Sequence, residues 1–404
     1  MTGGAVGQWR PVVSGLCATL IGIGLARFAY TPLLPALIEA GWFEPSEAGY
    51  LGAANLVGYL AGALLARWTA RHFAPAQALR ATMLAATVAF FACAFPNSFA
   101  WFLFWRFVAG YAGGVLMALA APAAIAGVPS ARRGLASGVV ITGVGLGIAL
   151  SGTLVPLLLR EGLTAAWLGL GLLALLLTAA AWNGWTPRAA TQTGGGGAAP
   201  ALAAPGNLRW VLYALCAVYG LNAAGAVPHM IFLVDYVARG LALGIDIGAL
   251  YWVIFGVGAL VGPTIAGRLA DRIGFAAALR LAVAVQAAAV LIPVLTDAAA
   301  ALAVSTLIVG VIVLGVVPLV LGRVHEVVPH DPDAQRAAWS LATVAFALGQ
   351  AGAGYGFSLL YSYSGYALLF EFAAGACLVA LAIDLAAPRP AGVTAPATRR
   401  NAGD

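Results

Sequence analysis

The sequence predicts an all-α integral membrane protein of twelve transmembrane helices. Its 404 residues are 62% hydrophobic and only 8% charged, with a mean hydropathy of +0.96. Soluble domains carry about 25% charged residues, so a chain this poor in charge has lipid as its outer solvent. Apolar runs of about 20 residues, the length that crosses a hydrocarbon core, recur along it. The charges that remain cluster in the connections and alternate in sign preference.

Cutting at charges and at Gly, Pro and Asn punctuation gives spans near 11–38, 47–67, 77–95, 98–122, 135–159, 163–185, 209–235, 247–268, 275–296, 298–322, 337–362 and 365–386. The first holds an apolar run from about Pro11 to Ala36, too long for the roughly 7–15-residue apolar core of a cleavable signal. The second lies between Glu47 and Arg67, and the third ends at Pro96-Asn97. The fourth starts at Ser98 and stops short of Arg132-Arg133; the fifth ends at Arg160-Glu161-Gly162, and the sixth at Asn183-Gly184. The seventh runs from Arg209 to Asp235 and the eighth from Asp246 to Arg268. The ninth begins after Gly274 and the tenth after Asp297, ending at Arg323; the eleventh follows Arg336, and the twelfth follows Gly365.

Arg67, Arg71 and Arg80, Arg132 and Arg133, Arg188 and Arg209, and Arg268, Arg272 and Arg280 occupy the turns after spans two, four, six and eight. Glu39, Glu44 and Glu47, Asp235 and Asp246, and Asp297 dominate the opposite turns. The bias in positive charge places the first set and both termini in the cytoplasm of a bacterial inner membrane. It also accounts for the net charge of +6 without a nucleic-acid partner. All twenty basic residues are Arg, in a composition also rich in Ala, Gly, Leu and Val, the mark of a GC-rich coding bias.

Residues 187–208, a Gly/Ala/Pro-rich polar stretch, read as a flexible cytoplasmic linker. It divides an N-terminal six-helix bundle (1–186) from a C-terminal one (209–388), with a cytoplasmic tail over 389–404. The halves echo each other: Gly62 to Arg67 is answered by Gly267 to Arg272, 205 residues on, and Val128-Pro129 to Ser137 by Val328-Pro329 to Ser340. Such echoes predict a duplicated six-helix unit.

Two arginines stand inside apolar spans, Arg27 in GIGLARFAYTPLLP and Arg106 in FAWFLFWRFVAGYAGG. A guanidinium in hydrocarbon costs a few kcal/mol and keeps its proton, so each demands a polar or anionic partner. Arg27 lies about 24 Å into span one, and Arg106 about 12 Å in from the opposite end of span four, so their depths nearly coincide. An anion bridging the two is the expected use, since a carboxylate accepts bidentate bonds from each; bonding of Arg106 to helix-end carbonyls is the structural alternative. Tyr30 and Thr31 neighbour Arg27, and Pro32 and Pro35 kink the helix there. Tyr219, Asn222 and His229 form a polar stripe on span seven, and Gln350 lies on the polar face of span eleven. His229 and Glu371, the latter six residues into span twelve, are candidate proton-coupling groups. Asn55 and Tyr59 read as helix-packing residues. The glycine runs at 143–147 and 349–356 read as seams for close helix contact. The four cysteines are scattered in apolar runs, and no metal or cofactor is expected.

Gly267-Arg-Leu-Ala-Asp271-Arg272-Ile-Gly274 resembles the loop signature of the major facilitator superfamily, and Phe102 to Gly110 is similar to its fourth-helix pattern. In the N-terminal copy, Ala66 replaces the acid and Thr69 the second glycine. Gly22 to Pro35 resembles the first-helix signature of the YbfB/YjiJ-type group within that superfamily. The resemblance implies two pseudo-symmetric bundles, a central cavity lined by helices one, four and seven, and a gating role for Gly267, Asp271 and Arg272. It also implies a secondary transporter, not an enzyme, with a small-molecule substrate and the lipid bilayer as its partners, working as a monomer. The arginines favour a small organic anion, moved by proton coupling or exchange. Efflux of amphipathic, drug-like compounds is the alternative, and a non-transporting membrane receptor is a more distant one.

Overall fold

The computed structural model describes residues 3–185 and 206–387 except 127, 130, 131 and 330. The expected linker falls almost wholly outside the described residues, as does the C-terminal tail. The described chain is helical throughout and forms twelve rods. Rod α1 is composite: Gly3–Thr19, a π-helical stretch Leu20–Leu25, a turn, and Tyr30–Glu39. Then come α2 (Pro45–His72), α3 (Pro75–Ala92), α4 (Phe99–Ile125), α5 (Arg133–Leu159) and α6 (Leu163–Ala181). Rod α7 is also composite, made of Gly206–Ile231, Leu233–Asp235 and the π-helical Tyr236–Gly240. The last five are α8 (Ile245–Ile273), α9 (Phe275–Leu295), α10 (Ala299–Val327), α11 (Pro332–Ser364) and α12 (Ala367–Ala386). Ten of the rods are long and apolar enough to cross a membrane on composition alone. The other two, α3 and α11, are diluted by Gln77 and Arg80 and by a run of Ser, Thr, Gly and Gln, yet lie in the same bundle.

Local chemistry sets the rod ends. Glu44 and Glu47 form a reciprocal capping box around Pro45 at the start of α2, with Glu44 N donating to Glu47 Oε2 at 3.0 Å. Asp331 caps α11 by accepting from the Asp333 and Ala334 amides at 2.9 and 3.0 Å, with Pro332 at the first helical position. The turn between α8 and α9 passes through Gly274 at φ +82°, a left-handed conformation that favours glycine.

The inner logic of the fold is a glycine seam that occurs twice. A Cβ on Gly58 would meet Phe107 O at 2.1 Å, one on Gly62 would meet Tyr111 O at 2.1 Å, and one on Gly110 would meet Asn55 O at 2.0 Å. In α8 and α10, Gly258 meets Leu307 O at 2.5 Å, Gly262 meets Val311 O at 2.1 Å, and Gly310 meets Phe255 O at 2.3 Å. Each contact recurs 200 residues later (58 to 258, 62 to 262, 110 to 310). This corrects the 205-residue register read from the sequence: by packing, Gly62 corresponds to Gly262, not Gly267. The loop echo tracks Arg and Gly punctuation, which slides along a helix end; the backbone contact does not.

The loop motif from Gly267 to Gly274 is packed differently from the seam. A Cβ on Gly267 would meet nothing within 4 Å, so this glycine does not serve close helix approach. Asp271 lies inside α8, three residues before the Gly274 cap of α9, and so does not cap the next helix. Asp271 and Arg272 are both exposed, and neither joins an ion pair among the described residues. The glycine runs behave largely as expected. Gly147 packs on Gly24, Gly349 on Gly220 and Gly354 on Ala53 and Leu56, whereas Gly352 and Gly356 face open space.

Gly110→Ala and Gly310→Ala should each force a pair of backbones apart. The expected cost is about 1–3 kcal/mol, typical of overpacking, read as a lower melting midpoint of the detergent-purified protein. Gly352→Ala should leave the midpoint unchanged or raise it.

Candidate functional site

The site begins with a broken helix. Within residues 20–29 the backbone of α1 winds wide: Ala26 N donates to Ile21 O at 2.9 Å and Phe28 N to Ile23 O at 3.2 Å, both five residues back. Pro32 has no amide to offer the Phe28 carbonyl, which accepts instead from Thr31 N at 3.3 Å. The Ala26 carbonyl is taken by side chains, Arg106 Nη1 at 2.7 Å and Asn55 Nδ2 at 3.3 Å. Asn55 also donates to Arg106 O at 3.3 Å, tying α2 and α4 to the break. The Arg106 guanidinium lies 4.3 Å from the Tyr30 ring centre and is 3% exposed.

The next residue along, Arg27, points elsewhere. It is half-buried and donates from Nη2 to Gln350 Oε1 on α11 at 2.6 Å, across the meeting surface of the two halves. The rings of Phe28 and Tyr59 lie 5.1 and 5.4 Å from its guanidinium carbon. Gln350 completes its set with a contact from Nε2 to Met230 Sδ at 3.6 Å. No carboxylate lies within 4.0 Å of either arginine among the described residues.

Other contacts close the halves on each other at the end opposite the one where α1 begins and α12 ends. Thr31 Oγ1 donates to Met230 O, and Trp252 Nε1 donates to Ser151 Oγ at 3.0 Å. Gly49 approaches Ser358 and Phe232, and Gly52 approaches Ile231. Beyond them lies a buried carboxylate that sequence reading left in a loop. Asp235 is fully buried and accepts from Arg239 at 3.1 Å, Tyr361 at 2.9 Å and Tyr366 at 2.7 Å, clasping α7 to α11 and α12. Its signal was available: an acid with an Arg four residues on and three tyrosines near the ends of spans seven and eleven.

The expected polar stripe of α7 divides. Asn222 donates to Gln286 Oε1 at 2.7 Å, and Gln286 Nε2 returns a bond to Asn222 O at 2.9 Å, a closed amide pair with α9. His229 meets Ser305 Oγ at 2.9 Å; since Ser305 donates to Ala289 O at 2.6 Å, His229 Nε2 is the donor, and its Nδ1 is buried without a partner among the described residues. Tyr219 packs on Trp339 and Phe346 of α11. Three residues on one face of a helix do share a direction, but here Asn222 and His229 turn toward α9 and α10, not toward Arg27. Tyr30 donates to Ala48 O at 2.7 Å, inside the N-terminal half. Glu371 is exposed on the outer side of α12 and has no ion-pair partner among the described residues. The structure therefore joins Arg27, Gln350, Tyr59 and the Thr31–Met230 contact, and sets Arg106 behind the α1 backbone.

Arg106→Gln should lower the melting midpoint more than Arg27→Gln. The first loses a charged hydrogen bond to a buried carbonyl, of about 1.5–3 kcal/mol, whereas the second breaks a bond at a half-open surface.

Comparison with known proteins agrees with this architecture. The crystal structure of a D-xylose-proton symporter superposes with a TM-score of 0.71 over 94% of this chain and 97% of that one, at 15% identity. At that identity the likeness concerns the fold. No curated protein matches the sequence. The family model described as "Uncharacterised MFS-type transporter YbfB" matches residues 19–385, nearly the whole chain. This multi-pass membrane protein therefore belongs to the YbfB-type family of major facilitator superfamily transporters.

Proposed function

We propose that the protein moves a small organic anion, carboxylate-like in chemistry, across a bacterial inner membrane by alternating access. The observation that carries this reading is Arg27. Its positive charge sits where the two halves meet, half-open, and among the described residues its side-chain hydrogen-bond partner is the neutral amide of Gln350. A permanently charged guanidinium in that position lacks a counter-charge, and a bound carboxylate supplies one through paired N–H···O bonds. Tyr59 and Phe28 wall the guanidinium, and Gln350 is the side chain that an arriving anion would displace.

Arg106 enters this reading indirectly. By holding the Ala26 carbonyl it fixes the break in α1 and so the direction in which Arg27 leaves the helix. Each half is held by its own glycine seam, and the halves meet where α5 packs on α8 and α2 on α11; rocking about those surfaces opens and closes the site. The energy source is a proton gradient or a counter-anion. His229, buried in the C-terminal half beside the Met230 that Thr31 contacts, is the coupling group best placed to act through α7. The working unit is a monomer with both termini in the cytoplasm. Efflux of cationic drug-like compounds fits less well, because no carboxylate among the described residues lies within 4.0 Å of Arg27.

Reconstituted proteoliposomes given a panel of small carboxylates and cationic dyes test the reading. Uptake of at least one carboxylate is expected, and Arg27→Gln should reduce it about 30–100-fold, the equivalent of about 2–3 kcal/mol. Transport of dyes alone, or carboxylate transport untouched by Arg27→Gln, would sink the anion assignment.

A further inference from the structure

The second arginine carries its own unanswered charge. Arg106 Nη1 is used on Ala26 O, but Arg106 Nε and Nη2 have no hydrogen-bond partner although both are buried. Two further buried donors close by in the fold are also unmatched, Trp105 Nε1 and Trp167 Nε1. All three side chains line one small internal cavity between α3, α4 and α6, together with Phe90, Cys93 and Ala86. It leaves about 10 Å³ for the centre of a water-sized sphere, the room of a single small particle.

We infer that this cavity is a binding site for one monatomic anion of the halide class, held by Arg106, Trp105 and Trp167. The donor count decides the chemistry. The three residues bring four unmatched N–H-bearing atoms and no acceptor, while the Ala26 carbonyl beside them already accepts twice. A water molecule accepts two hydrogen bonds and must give two; here only the Cys93 thiol, a weak acceptor, is at hand to take one. An anion accepts from every donor and cancels a guanidinium charge that no carboxylate among the described residues neutralises. The volume excludes a carboxylate or sulfate, so this site is separate from the substrate site proposed at Arg27. Its role is to make the Arg106 anchor of the α1 break electrically neutral.

The test is the melting midpoint of the full-length, detergent-purified protein, titrated with sodium bromide against sodium gluconate at constant ionic strength. A ligand that binds only the folded state raises the midpoint saturably. Such a rise is expected in the wild type and equally in Arg27→Gln. In Trp167→Phe, which keeps an aromatic ring but loses the donor, at least tenfold more bromide should be needed. A midpoint indifferent to bromide in the wild type overturns the site and leaves the cavity to water. So does a response lost in Arg27→Gln and kept in Trp167→Phe, which would place the halide at the substrate site. Bromide-soaked crystals of the wild type give a reading independent of any variant. An anomalous peak among Arg106, Trp105 and Trp167 is expected, and its absence there overturns the assignment.

Discussion

The carbonyl of Ala26 is the point on which this structure turns. In a hydrocarbon environment a backbone carbonyl released from its helix costs several kcal/mol unless something else bonds it. The π-helical winding at 20–25 and Pro32 together loosen the α1 ladder, and Arg106 and Asn55 catch the Ala26 carbonyl that side chains can reach. One oxygen thus joins α1, α2 and α4. The close fit around the break makes the arrangement rigid: Gly22 lies against Leu116 and Gly113 of α4, and Gly24 against Gly147 of α5. A side chain at either glycine would push α1 outward and carry Arg27 with it.

Within each half, cohesion comes from backbone pressed on backbone, at the same positions 200 residues apart. Lipid tails are as apolar as leucine, so close packing, rather than the hydrophobic effect, holds such helices together. Across the halves, glycine packing recurs, with Gly256 against Ala149 and Gly152 against Ala249, and polar contacts join it: an arginine on a glutamine, a threonine on a carbonyl, a tryptophan on a serine. Single hydrogen bonds of this sort contribute about 0.6–2 kcal/mol in membranes, small enough to exchange for water or ligand. Where those polar contacts exchange for water or ligand, the halves can part while each half keeps its own seam.

The twelve spans were legible because a bilayer imposes length and hydropathy on every crossing segment, and because Arg is sorted by side. Duplication was legible too, though the Gly62–Gly267 echo lay in the wrong register, since the loop that displays it carries punctuation and not contacts. The depth of Arg27 and Arg106 could be counted along the helices, and the bond from Arg106 to the Ala26 carbonyl brings the two to one level. Direction could not. A π-helical turn shifts the facing of every residue after it by about 100°, the angle of one inserted residue, and nothing in GIGLARFAY announces one. The amide pair Asn222–Gln286 was equally hidden: Asn222 alone reads as part of a polar stripe, and only its meeting with Gln286 across α7 and α9 shows that the two satisfy each other.

The same π turn explains how two neighbouring charges serve different ends. On a regular helix Arg27 and the Ala26 carbonyl would both be committed, the carbonyl to the amide four residues on and the guanidinium to whichever neighbour it faced. The break frees the carbonyl for Arg106 on the side of α4 and turns Arg27 toward α11. Bringing two guanidiniums to one anion would have required both to face the inter-half surface, and the energy of an unbonded Ala26 carbonyl opposes that. The chain instead buries one arginine at 3% exposure as an anchor and leaves the other half-open. An anchor that never sees solvent cannot borrow counter-charge from a passing substrate. Its neutrality must be built into the half to which it belongs, while the charge of Arg27 remains available to whatever enters between the halves.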